Sequence, residues 1–123
     1  MLSNSIAYLV LLTVTGNNDV NQLFSFNLDE DKNQLIKIAG SINDVSKYPI
    51  VSIGKITGRQ EAVYKLQNKQ NNLFVFVIEG VFEVHGRLLH ARDALGLWDI
   101  FEDIELEALS NDAIVLIIEL SKV

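Results

Sequence analysis

The stretch LFVFVIEGVFEVHGRLLHARDAL, residues 73–95, decides how this chain is read. Its first seven residues are apolar apart from Glu79 and rich in aromatic and β-branched side chains, a pattern that fits a strand buried on both faces. Gly80 then permits a bend, VFEV resumes as strand, His85-Gly86 supplies a tight reversal, and RLLHA runs back to a further turn at Arg92-Asp93. Short strands separated by single turn signals predict a β-sandwich or barrel and no helical architecture.

Downstream, Gly96-Leu97-Trp98 leads into FEDIELEAL, where Asp103, Glu105 and Glu107 alternate with Ile104, Leu106 and Ala108 as in a half-buried strand. Ser110-Asn111-Asp112 turns the chain into AIVLIIEL, residues 113–120, a second strand apolar on both faces. Upstream, QEAVYKLQNKQ fits two patterns: Ala62, Tyr64 and Leu66 alternate, while Ala62, Val63 and Leu66 share a helix face. Its strand neighbours and the Asn71-Asn72 turn favour the strand. IVSIGKI is a strand in which Gly54 and Gly58 predict a bend or bulge on either side of Lys55-Ile56-Thr57. SINDVSKYP, residues 41–49, closes on the only proline, Pro49, and is the expected loop.

LIKIAG is a short strand, and Asp29-Glu30-Asp31-Lys32 before it has room for one helical turn. IAYLVLLTVT, the turn Gly16-Asn17-Asn18-Asp19 and VNQLFSFN form an opening hairpin within 1–26. The sum is about nine or ten strands at a spacing of roughly 8–12 residues, with no repeat and no linker. This predicts a single all-β domain over 1–123, two antiparallel sheets closing as a jelly roll and so limiting exposed strand edges.

A chain of 123 residues, 49% hydrophobic and 21% charged, can bury a core without staples. With a net charge of −6 and no Lys/Arg cluster it lacks the basic footprint that nucleic acid or an anionic membrane requires. The absence of cysteine excludes disulfides, thiolate nucleophiles and Cys-based metal sites. The apolar run at 6–12 has no Lys or Arg before it and no small-x-small site after it, so it reads as a mature strand, too short to cross a bilayer. A soluble, cytoplasmic protein is expected.

The segment VIEGVFEVHGRLLHARDAL has the cadence of a cupin: strand, Glu-Gly bend, strand of alternating valines, glycine turn, then Leu89-x-x-x-Asp93 where cupins place Gly-Asp. GRQEAVYKL, FVFVIEGVFEV and ELEALSNDAIVLIIEL together resemble the C-terminal cupin half of pirin-like proteins, over roughly residues 30–120. Arg92 stands where that family more often has glycine. The resemblance implies an antiparallel double-stranded β-helix. It also implies that the metal site and quercetin-oxidising activity, which in pirin-like proteins belong to the N-terminal cupin, have no counterpart in this chain.

The residues agree with that implication. A catalytic cupin binds its metal with a His-x-His pair and a Glu before the Glu-Gly bend and a His after the Gly-Asp turn. From 59 to 73 there is no histidine and Glu61 is the sole carboxylate; after Asp93 there is no histidine. His85 and His90 flank a turn, and either converge as ligands or proton carriers or simply serve the hairpin and its backbone; with no third ligand nearby the second account is preferred. No Gly-x-Ser-x-Gly elbow or phosphate-binding glycine loop is present. The acidic set Glu102, Asp103, Glu105 and Glu107 reads as a solvated strand face before it reads as a calcium or basic-partner site.

Trp98, Tyr64 and Phe76 are core aromatics on the plain reading. On the alternative they line a pocket at the barrel mouth for a small apolar or planar ligand, with Arg59 and Glu79 as polar anchors and His85 and His90 nearby. No catalytic residue, metal or cofactor is assigned. The expected function is that of a metal-free, non-catalytic cupin module acting through self-association, as a homodimer, or through a protein partner. The alternative is a small-molecule binder or metal-independent enzyme, distantly quercetinase-like, using the barrel mouth.

Overall fold

A computed structural model describes residues 27–40 and 49–121. The opening hairpin expected within 1–26 and residues 41–48 of the expected loop lie outside the described residues. The described residues form nine strands: β1 (Ile36–Ala39), β2 (Ile50–Ile56), β3 (Glu61–Tyr64), β4 (Asn72–Glu79), β5 (Phe82–Val84), β6 (Arg87–Leu89), β7 (Ala94–Leu97), β8 (Ile104–Ala108) and β9 (Ala113–Leu120). One antiparallel sheet has the order β1-β2-β9-β4-β7 and the other β3-β8-β5-β6, so the two-sheet, all-β prediction holds.

β9 lies between β2 and β4 and is apolar on both faces, as its sequence predicts. Its inner residues Ala113, Val115 and Ile117 join Leu73, Val75 and Val77 of β4 against Phe82, Val84, Ile104, Leu106 and Ala108 of the second sheet, all buried in one core. Its outer residues Ile114 and Leu116 pack with Leu28, Ile38, Val51 and Ile53 in a second cluster. β4 departs from the expectation of complete two-sided burial: its inner face is sealed, but outward Phe74 is 39% exposed and Phe76 and Ile78 are half-buried. Side chains on the two faces of one strand can be this different because a strand's period is two.

The strand expected over QEAVYKLQNKQ is only partly formed: Glu61–Tyr64 is strand, with Tyr64 turned in and Val63 out, but pairing with β8 ends at Tyr64, residues 65–71 form a connection, and Asn72, expected in a turn, begins β4. β8 alternates as predicted, Ile104, Leu106 and Ala108 inward. The segment after Asp93, read as a run towards residue 101, contains a separate strand, β7, paired with β4. The bend or bulge expected at Gly54 is absent: β2 pairs with β9 without interruption from Ile50 to Ile56. Gly54 is needed for another reason, since a Cβ there would lie 2.8 Å from the Gln34 carbonyl oxygen. The register breaks instead between Val77 and Glu79 on β4, just before Gly80. The single helical turn expected at 29–32 is present and begins slightly earlier: the Asp31 N–H donates to the Asn27 carbonyl at 3.1 Å, and the Asn27 side-chain oxygen caps the turn by accepting the Asp29 and Glu30 N–H groups.

The turns are as the sequence asked. His85 (φ 49°) and Gly86 (φ 78°) are both left-handed, the geometry of a type I′ hairpin. Arg92 has φ 76°, which explains why glycine suits that position. Asp93 accepts the His90 N–H through Oδ2, closing that turn. Gly80 is constrained twice, by φ 80° and by space: a Cβ would sit 2.5 Å from Ser110 Oγ and 2.7 Å from Ala113 Cβ, whereas one at Gly86 would meet nothing within 4 Å. Gly80→Ala should therefore lower stability by more than Gly86→Ala in urea unfolding. The second should cost about 1 kcal/mol from backbone conformation alone, and the first about 2–4 kcal/mol once the clash is added.

Candidate functional site

The polar centre of the molecule is Glu119, which the sequence reading passed over as part of an apolar strand. It is 0% exposed, on the inner face of β9 in register with Ile50 of β2 and Leu73 of β4. Its Oε1 accepts the Tyr64 hydroxyl at 2.7 Å and the Gln67 N–H at 3.1 Å. Its Oε2 accepts the N–H groups of Gln67 at 2.9 Å and Asn68 at 3.3 Å and the Asn71 side-chain amide at 2.6 Å. A carboxylate taken out of water among aliphatic neighbours is tolerated only when its lone pairs are met in this way. The phase of β9 held the clue, because Glu119 falls in step with Ala113, Val115 and Ile117 on the inward side.

Burial and the bond to Glu119 drive the Tyr64 pKa far above its ordinary value of 10.0. The neutral phenol is the form the fold holds, so this contribution to stability is present below pH 10 and is lost as alkali ionises the unfolded chain.

Of the seven residues offered as a pocket, Tyr64 alone lies in the core between the sheets. Phe76 points to the other face of β4, towards the second cluster. Glu79 is turned outward and exposed, past the register break. Arg59 sits in the β2–β3 turn with φ 70° and pairs with Glu107 at 3.4 Å in an exposed setting. His85 is in the β5–β6 turn and His90 follows β6, both exposed; His90 Nδ1 lies 3.9 Å from Asp93 Oδ2. Trp98 is 66% exposed at the end of β7, its ring covering the face of Gly96.

The acidic outer face of the second sheet is broader than the sequence showed. Glu107 faces Glu61 on one side and Glu83 on the other in direct register, and Arg59 offsets part of that charge.

A cupin's metal would need three or four convergent imidazoles and carboxylates on the inner face. That face carries Leu, Val, Ile, Phe and Ala side chains besides Tyr64 and a Glu119 whose oxygens are already taken by protein donors, both histidines lie on the surface, and among the described residues no group of three or more His, Cys, Asp or Glu is placed to hold an ion. These residues do not fit such a metal.

Two antiparallel sheets packed through an apolar interior form a β-sandwich of the jelly-roll kind, the architecture that cupins share. Residues 49–120 match the family described as the Quercetinase C-terminal cupin domain, and the chain belongs to that family. Among solved structures it is similar to bacterial pirin YhhW from Escherichia coli in complex with nickel(II), at 21% identity and a TM-score of 0.56 over 61% of this chain and 31% of that one. A second structure of YhhW gives 18% identity and a TM-score of 0.60 over 73% and 38%. An RmlC-like cupin protein from Desulfovibrio desulfuricans gives 17% and 0.56 over 88% and 97%. The chain thus spans about a third of the length of the pirin chains it matches. No curated protein matches it. Among the described residues no helix is long and apolar enough to cross a membrane.

Two outcomes test the Glu119 cluster. Glu119→Gln should cost about 2–3 kcal/mol in urea unfolding, because a neutral amide accepts more weakly and turns an NH₂ group towards N–H donors. In an alkaline titration followed by phenolate absorbance, Tyr64→Phe should remove absorbance that in the wild type appears only with unfolding.

Proposed function

We propose that the chain is a metal-free, non-catalytic cupin module of the cytoplasm that acts through protein contact, first of all by pairing with a second copy of itself. The observation that carries this reading is a strip of uncovered apolar side chains on the outer face of the larger sheet. Trp98 is 66%, Leu120 42% and Phe74 39% exposed, with half-buried Phe76 and Ile118 continuing the same face across β4 and β9. Contiguous apolar surface of this kind, headed by a tryptophan, is typical of protein interfaces.

The adjoining edge favours a second copy as the occupant. Among the described strands that end a sheet, β1 carries Lys37, β3 carries Glu61 and β6 carries Arg87, charges that discourage edge pairing. β7, Ala-Leu-Gly-Leu, carries none and lies beside Trp98 and Phe74. An antiparallel strand meeting its own copy is self-complementary, which is what a twofold dimer requires. The apolar interior and the surface position of both histidines support a role without chemistry inside the barrel.

Light scattering on the purified chain at micromolar concentration should report twice 13.8 kDa. Trp98→Glu combined with Phe74→Glu should return it to the monomer mass with an unchanged far-ultraviolet spectrum. A wild-type chain that stays at the monomer mass at these concentrations overturns the proposal.

A further inference from the structure

Residues 65–71 leave β3 in one sheet and enter β4 in the other, so they cross one end of the barrel. Their conformation is set by a single acceptor. The Gln67 and Asn68 backbone N–H groups, the Asn71 side-chain amide and the Tyr64 hydroxyl at the near end of β3 all point at the Glu119 carboxylate, and no cation is among these partners. Two bonds within the connection support that arrangement: Asn71 N–H donates to the Asn68 carbonyl at 2.9 Å and Gln70 N–H to Asn68 Oδ1 at 2.9 Å. Successive backbone donors joined by a phenol and an amide make a concave anion receptor. Leu66 packs on the core from the same connection, above the end where Leu73 and Tyr64 lie.

We propose that the 65–71 connection is a strap latched across the barrel end by a carboxylate receptor whose resident ligand is Glu119. Without that carboxylate the strap releases, the Leu73 and Tyr64 end of the core opens, and the vacated donors accept a small free carboxylate such as formate. Two features distinguish this from an ordinary surface turn. The acceptor is a side chain from β9 about fifty residues further along the chain, and it stands among Ile50 and Leu73, where water cannot replace the lost donors. All partners in the latch belong to one chain, so it does not require the pairing proposed through β7.

The test is amide hydrogen exchange by NMR on the full chain. In Glu119→Ala, the Gln67 and Asn68 amides should exchange roughly tenfold faster or more, while amides of the β2–β9 ladder keep their protection. Formate should restore slow exchange at Gln67 and Asn68, and chloride at equal ionic strength should not; wild type should respond to neither. Unchanged protection at these two amides, or formate no better than chloride, overturns the proposal. If Glu119→Ala is unfolded in plain buffer, folding in formate but not in chloride supports the receptor. If it folds in neither, Tyr64→Phe decides: faster exchange at Gln67 and Asn68 with an intact β2–β9 ladder supports the latch, and exchange identical to wild type overturns it.

Discussion

A strand that is apolar on both faces and hydrogen-bonded along both edges has to be covered twice, and β9 imposes that requirement on the whole molecule. β2 and β4 take its edges over their full lengths. Its inward side chains demand a second sheet, which β3, β8, β5 and β6 supply. Its outward side chains demand a second layer of packing, met near β1 and β2 by the cluster around Val51, Ile53 and Leu28. Cover thins out towards β7, where Phe74 and Trp98 stay open to solvent. Interior and surface therefore follow from one sequence feature, and hydrophobic burial is the force that propagates it.

Glu119 is the exception inside that scheme and explains a loop that composition alone would call flexible. KLQNKQN is polar and has no regular structure, yet it is ordered because a dehydrated carboxylate needs its donors. The same geometry gives Tyr64 its meaning. It is a buried donor held in its neutral form, whereas His85 and His90 lie exposed at turns.

Membership in the Quercetinase C-terminal cupin family places the chain in a fold that elsewhere supports metal chemistry, but fold and chemistry separate here at the level of side chains. Among the described residues, apolar side chains fill most of the inner face, where Glu119 and Tyr64 are the buried titratable groups, while the Glu61–Glu107–Glu83 row lies on the outside of one sheet and the two histidines at turns. What remains distinctive is a surface, the uncharged β7 edge with its aromatic neighbours.

Period and punctuation carried much of the architecture in the sequence itself. Alternation in residues 104–108, unbroken apolarity in 113–120, and left-handed turns at His85-Gly86 and Arg92 are local properties, settled by residues within a few positions of one another. Tertiary structure alone decided the rest, because it depended on register between distant strands. The break at Val77/Glu79 turned Glu79 outward, the β3–β8–β5 pairing aligned glutamates some twenty residues or more apart, and the meeting of β9 with the 65–71 connection converted Glu119 from an interruption in an apolar run into the anchor of a barrel end. Burial and hydrogen-bond partners are properties of a three-dimensional neighbourhood, and a one-dimensional pattern gives a side chain its face without telling it whom it meets.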